Sequence, residues 1–329
     1  MSIIKKPHDK FFKETLSDIE TAKDFMRNYL PGDILNIIDM ESLSLEKDSY
    51  IDKKLKEVFS DMLFKTGING KEGYLYLLFE HKSYLSEKTA LQLLKYMVKI
   101  WEQKTNKENT SKLPVIIPIV VYHGESRWNI DKSFTGMIEG MEGLSPNVKR
   151  YIPEYEYILY DLSPYGDEEI KGNVKLKIFL EILRAIFYKE PEEFIKVLEK
   201  SFKALEEMEK QERGIDYFET FVRYIMNARK DLSIEEVYEV VKNISLERSE
   251  EIMTIAEQLV KEGMEKGMEK GMEKGVEIGL EKGVEKGIIE GKKKTAKNLL
   301  KLGFSVEQTA AAAELPVKEV IQLKKENEN

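Results

Sequence analysis

The sequence predicts an α/β protein: a mixed β-sheet flanked by helices, followed by an α-helical C-terminal region. Three observations carry this. Tyr74 to Phe79 and Pro114 to Tyr122 are near-continuous apolar runs of strand length, the pattern of strands buried on both faces. Asn69-Gly70, the strongest short hairpin signal, stands just before the first of them. Apolar residues at helical spacing fill Pro7 to Tyr29, Leu85 to Gln103 and most of the chain after Ser163.

In chain order, Pro7 to Tyr29 reads as the first helix, with Phe11, Phe12, Leu16, Ile19, Phe25 and Met26 on one stripe and Pro31-Gly32 as its stop. Ile34 to Leu45 reads as a strand with Glu41 in its middle. Val58 to Lys65 enters the turn and Tyr74 to Phe79 leaves it. Leu85 to Gln103 is the second helix, with Leu91, Leu94, Met97, Val98 and Trp101 inward. Pro114 to Tyr122 is a central strand ending in His123-Gly124, and Tyr155 to Asp161 is one strand more. Helix, three strands, helix, strand, strand makes a sandwich with mixed sheet topology.

At 329 residues the chain holds one sizeable core and a second unit. No run approaches the ~18 apolar residues of a membrane span. The opening MSIIKKPHDKFFKE lacks the apolar stretch of a secretory signal. The absence of cysteine excludes disulfides, thiolate metal sites and cysteine nucleophiles, and it fits a reducing cytoplasm. A net charge of −8 argues against a generally basic nucleic-acid coat but permits a local basic groove.

The chemistry concentrates between Ser60 and Ser83. Strand alternation puts Glu80 and Lys82 on one face and His81 on the other. A two-residue loop centred on Asn69-Gly70 sets residue 61 opposite residue 78, so Asp61 shares the face of Glu80 and Lys82; a loop of three or five would reverse the parity. Two carboxylates converging at strand ends suit Mg²⁺ (or Mn²⁺), which takes one or two protein carboxylates with water and phosphate oxygens. A lysine beside them can orient the attacking water. The bland reading is a set of strand-end charges on a solvated face, and D-x18-E-x-K alone is a weak signal in a chain one-third charged. Position favours the sharper reading, because the acids interrupt strands where an uncompensated charge is costly. Asp9 near the start of the first helix favours the positive helix end, or supports the metal site. Gln92 and Tyr96, four apart, share one helix side, facing either the site or solvent. His123 at a strand end more often has a structural role.

Together HDKFFK near the start, SDMLFK, LLFEHKS followed by Gln92 and Tyr96, PVIIPIVVYHG with a later Trp, and YDLS resemble the recombination-promoting nuclease (Rpn) family. That family is also labelled YhgA-like putative transposases, within the PD-(D/E)XK superfamily, and the resemblance covers roughly residues 5 to 240. It implies a restriction-endonuclease-like core and divalent-metal-dependent DNA endonuclease activity in recombination. On this chain Asp61 matches the first acid, Glu80 the second and Lys82 the lysine of E-x-K. Many relatives have Gln in place of Lys82, and Ser60 stands where the superfamily pattern has proline. Asp9 and Gln92 match recurring positions in supporting roles.

The domain plan is 1–165 for the nuclease-like core, 166–258 for a helical subdomain, 259–294 for a tetrad repeat and 295–329 for a short helical tail. Helices are predicted over Glu168 to Tyr188, Pro191 to Met208, Gly214 to Ala228 and Ser233 to Asn243. The repeat KEG-MEKG-MEKG-MEKG-VEIG-LEKG-VEKG-IIEG places glycine every fourth residue from Gly263 to Gly291, with an apolar residue after each of the first seven. Eight glycines cost roughly 8 kcal/mol of helix stability relative to alanine. Residues 261–291 are therefore a flexible spacer or a helix that associates with another copy. The tail, GFSVEQTAAAAELPVKEVIQL, faintly resembles small helix-turn-helix units, lacks glycine after its Ala run, and is not read as a DNA reader.

The functional expectation is a metal-dependent DNA endonuclease without membrane association, with Asp61 and Glu80 as ligands and Lys82 placing the water. The alternative is a non-catalytic DNA-binding or assembly protein with a degenerate nuclease fold.

Overall fold

The computed structural model describes residues 7–46, 60–81, 87–108, 112–164, 169–188, 190–211 and 217–327. Helices α1 (Pro7–Leu16), α2 (Ile19–Tyr29) and the single turn α3 (Gly32–Leu35) precede strands β1 (Ile38–Leu45), β2 (Ser60–Ile68) and β3 (Lys71–His81). Helix α4 (Thr89–Glu108) leads to β4 (Val115–His123), and the short α5 (Pro146–Lys149) to β5 (Ile158–Asp161). The five strands lie in chain order, β1-β2-β3-β4-β5. The first three pair antiparallel, while β3–β4 and β4–β5 pair parallel. This is the expected mixed sheet flanked by helices, and the C-terminal region is helical as expected.

Three local expectations are corrected. The single helix over Pro7 to Tyr29 is two, because Asp18 caps a new start: its carboxylate accepts from Glu20 N at 3.2 Å and from the Thr21 hydroxyl at 2.9 Å. The strand predicted from Ile34 begins at Ile38, since Pro31 opens the α3 turn instead. On α4 Leu94, Met97 and Trp101 pack on the core as expected, but the fully buried stripe is Leu93, Tyr96, Met97 and Ile100, and Val98 is 39% exposed. Buried Tyr96 sets the phase of that stripe; read as a polar residue, it shifts the stripe.

Each face of β3 has its own layer. Tyr74, Tyr76 and Leu78, with Leu63 of β2 and Val120 and Tyr122 of β4, pack against α4. On the other face Phe79 stacks on Phe12 of α1 at 4.1 Å and packs against the His123 ring at 5.6 Å. Tyr74 to Phe79 are all buried, as their uninterrupted apolar character requires.

An ion cluster pins the start of β3 to its neighbours. Glu72 binds Lys65 of β2 at 2.6 Å and the buried Lys104 of α4 at 2.5 Å, and it accepts from the Tyr74 hydroxyl at 2.9 Å. Burial alone would raise the Glu72 pKa, but these partners hold it at about 2, below its usual 4.5. A carboxylate whose pKa is depressed on folding stabilises fully above its unfolded value and loses that contribution as the pH falls through the folded one. The urea midpoint is therefore expected to fall between about pH 4.5 and pH 2. Glu72→Gln should fall less across that window; an unchanged slope would refute the cluster's role.

Beyond the sheet, α6 (Val174–Ala185), α7 (Pro191–Gln211), α8 (Tyr217–Ala228) and α9 (Ile234–Lys242) form a helical layer. Just past α8, the buried Arg229 lies over the Phe194 ring of α7, donates to the Tyr188 carbonyl at 3.0 Å and pairs with Asp231 at 2.6 Å.

The chain divides into two compact units, the first ending at Gln258 and the second beginning at Leu259. The tetrad repeat is helical throughout, within α10 (Leu246–Lys301). In the second unit the end of α10 packs with α11 (Val306–Ala313) and α12 (Val317–Asn327) around Ala296, Ala313 and Leu323. Where glycine was missed after the Ala run, Glu314 itself adopts the left-handed conformation (φ 49°) that ends α11. Among the described residues no helix is long and apolar enough to cross a membrane.

Candidate active site

The site depends on the β2–β3 turn. Asn69 (φ 50°) and Gly70 (φ 70°) are both left-handed, the two-residue turn whose twist matches that of the strands it joins. Register then runs from Ile68 opposite Lys71 to Asp61 opposite Leu78 and Ser60 opposite Phe79. Position 61 thus lies on the face of Leu78 and Glu80, the parity a two-residue loop dictates. Gly70→Ala, which forces a Cβ into the left-handed region, is expected to cost about 1–2 kcal/mol in urea unfolding. No loss would mean that the turn tolerates another geometry.

Glu80 stands one residue before the end of β3, on the α4 face, and is 1% exposed. A carboxylate this deep in a sheet is rare in a purely structural role. It lies in register with Tyr122 of β4, which in turn lies opposite Asp161 of β5. Burial raises the Tyr122 pKa against the lowering effect of the Ser126 hydroxyl, and the charges of Asp161, Glu80 and Glu125 add to the rise. Burial likewise pushes Tyr157 up to about 12, with Trp128 opposing and Asp131 and Glu80 adding. Both phenols therefore remain protonated donors at neutral pH. Gly124 leaves room for the Tyr122 hydroxyl, since a Cβ there would lie 2.1 Å from it.

Gln92 sits half-buried in the first turn of α4, and its buried amide nitrogen has no hydrogen-bond partner among the described residues. Tyr96, one turn on, packs its ring 5.3 Å from Tyr76. Position 61, Glu80 and α4 with Gln92 are thus brought to one side of the sheet. Asp9 lies in the first turn of α1, on the opposite layer, three residues before the Phe12 that stacks on Phe79. The side chain of Asp61 and all of Lys82 fall outside the described residues.

His123 belongs to the core. It is wholly buried on the α1 face, its ring 4.6 Å from Phe187 and 5.0 Å from His8, and its Nε2 lies 2.7 Å from the Leu183 carbonyl. That contact assigns the proton to Nε2. Asp161 was not singled out in the sequence, although it ends an apolar strand inside YDLS. Its two oxygens accept from Trp128 N at 3.0 Å and Ser163 N at 2.8 Å, tying the loop after β4 to the end of β5.

Among the described residues no three His, Cys, Asp or Glu side chains gather to hold a metal ion. The donors that the fold offers to a hard cation are a buried carboxylate, Glu80, and the Asp61 position on the same face. Such a set fits Mg²⁺, which takes most of its ligands from water and phosphate.

A family model described as "Putative transposase, YhgA-like" matches residues 6–213. The chain is 31% identical over 178 residues to recombination-promoting nuclease RpnD of Escherichia coli O157:H7, covering 54% of this chain and 66% of that protein. It is 26% identical over 258 residues to recombination-promoting nuclease RpnA of E. coli K12, covering 78% and 84%. It is 25% identical over 266 residues to the inactive recombination-promoting nuclease-like protein RpnE of E. coli K12, covering 80% of this chain and 84% of that protein. No solved structure matches the chain. The motifs, the mixed sheet and these matches agree, and the chain belongs to the YhgA-like putative transposase family, with recombination-promoting nucleases among its relatives.

Proposed function

We propose that this chain is a divalent-metal-dependent DNA endonuclease of the PD-(D/E)XK type that hydrolyses phosphodiester bonds during recombination. The observation that carries this reading is Glu80, a buried carboxylate near the end of β3, with position 61 on the same face through the Asn69-Gly70 turn. Asp61 and Glu80 would hold Mg²⁺ or Mn²⁺. When bound, the metal supplies a lowered pKa for water and offsets charge on the phosphate. Lys82 would orient the attacking water. Gln92, from α4, offers an amide donor to a phosphate oxygen, whereas Asp9, on the opposite layer of the sheet, is given no part at the metal.

Supercoiled plasmid incubated with the protein and Mg²⁺, Mn²⁺ or EDTA tests the reading. Nicked circles with either metal and none with EDTA are expected; intact plasmid in all three refutes it. RpnE, named inactive, is similar over most of this chain, which favours one alternative: a non-catalytic DNA-binding or assembly protein. Plasmid retardation without nicking is its signature.

A further inference from the structure

Helix α10 carries an uncovered apolar stripe through the tetrad repeat. From Met264 to Ile288 the apolar residue of every tetrad is more than half exposed. Beside it run the glycines from Gly267 to Gly291, and a Cβ added to any of them would meet nothing within 4 Å. Each tetrad thus presents an apolar knob next to a side-chain-free recess, repeated over about 36 Å of helix.

The period decides what can cover this stripe. Four residues advance about 40° beyond a full turn, so knobs and recesses wind around the helix in its own right-handed sense. Ridges along the i±4 rows of one helix enter grooves along the i±4 rows of another at a crossing of about −50°, so a second helix of the same four-residue period interdigitates with the stripe over a few tetrads about one crossing point. The repeat itself has that period. Its charge permits self-contact: Met264 to Gly287 holds six glutamates and five lysines, so two copies meet nearly neutral. Glycine at every turn disfavours this helix in isolation, and burial of the stripe offsets that cost.

We infer that the α10 tetrad helix is a self-association surface whose partner is the same helix of a second copy, apolar knobs of one seated in glycine recesses of the other. The interface does not depend on the nuclease reading.

Light scattering on the full chain, at micromolar concentration, tests it. The wild-type chain is expected at twice the single-chain mass or more; a single-chain mass overturns the inference. Gly271→Gln, Gly275→Gln and Gly279→Gln combined fill the recesses with a residue that meets nothing within one chain and favours helix. Circular dichroism should show equal or greater helicity while the mass falls to one chain. A retained oligomer with full recesses overturns the knob-and-recess interface. Met268→Ser, Met272→Ser, Val276→Ser and Leu280→Ser combined provide the complementary arm, where a mass unchanged from wild type also overturns it.

Discussion

Glu80→Gln and Asp61→Ala are each expected to lower metal-dependent plasmid nicking by more than about a hundredfold, the scale on which removing one preorganised charge-stabilising group acts. Glu80→Gln keeps the volume of a side chain that is 1% exposed, so the core is not opened. Added Mn²⁺ should raise the melting temperature of wild type and leave that of Glu80→Gln unchanged, because a ligand stabilises only the state that binds it. Lys82→Gln is expected to be milder, because an amide can still hydrogen-bond the water that Lys82 would orient. Wild-type nicking by either acid variant would remove these residues from the mechanism.

Arg229→Ala is expected to destabilise the first unit by about 3 kcal/mol or more, read by urea unfolding. The guanidinium is buried, covers Phe194 of α7, supplies a donor to the Tyr188 carbonyl beyond α6, and pairs with Asp231. Alanine leaves a cavity against the ring and a carbonyl without its donor, and both costs add. Arg229→Lys retains the charge but loses the planar fork, so it should recover only part of the loss. A change within about 0.5 kcal/mol for alanine, the range of ordinary surface positions, would show that the helical layer does not depend on this residue.

The sheet was readable where local chemistry is strict. Asn69-Gly70 admits a two-residue turn, and that turn alone placed position 61 on the face of Glu80 before any packing was known. The continuous apolar runs of β3 and β4 announced burial on both faces. Boundaries were less legible. The apolar stripe over Pro7 to Tyr29 hides the break at Asp18, whose capping of Glu20 N is a side-chain event the periodicity does not carry. On α4 the inward stripe follows a tyrosine, and Tyr96 is buried because Tyr76 of β3 faces it, a tertiary contact. Asp161 escaped notice for the same reason: its amide donors, Trp128 and Ser163, come together only when β5 lies beside β4. The assignment of a cation and of Lys82 rests on chemistry and family resemblance, not on spacing.

The chain-ordered sheet has a kinetic consequence. Every strand pairs with its neighbour in sequence, so no strand waits for a distant segment before it can dock. The β2–β3 pair closes across two residues, the cheapest loop closure in the sheet, and brings the positions of both acids together during its formation. Its hairpin can form in microseconds, whereas the parallel strands must first order their crossover connections. The two positions proposed to hold the metal are thus expected to lie in the earliest-forming piece of the sheet, with the later strands adding burial around them.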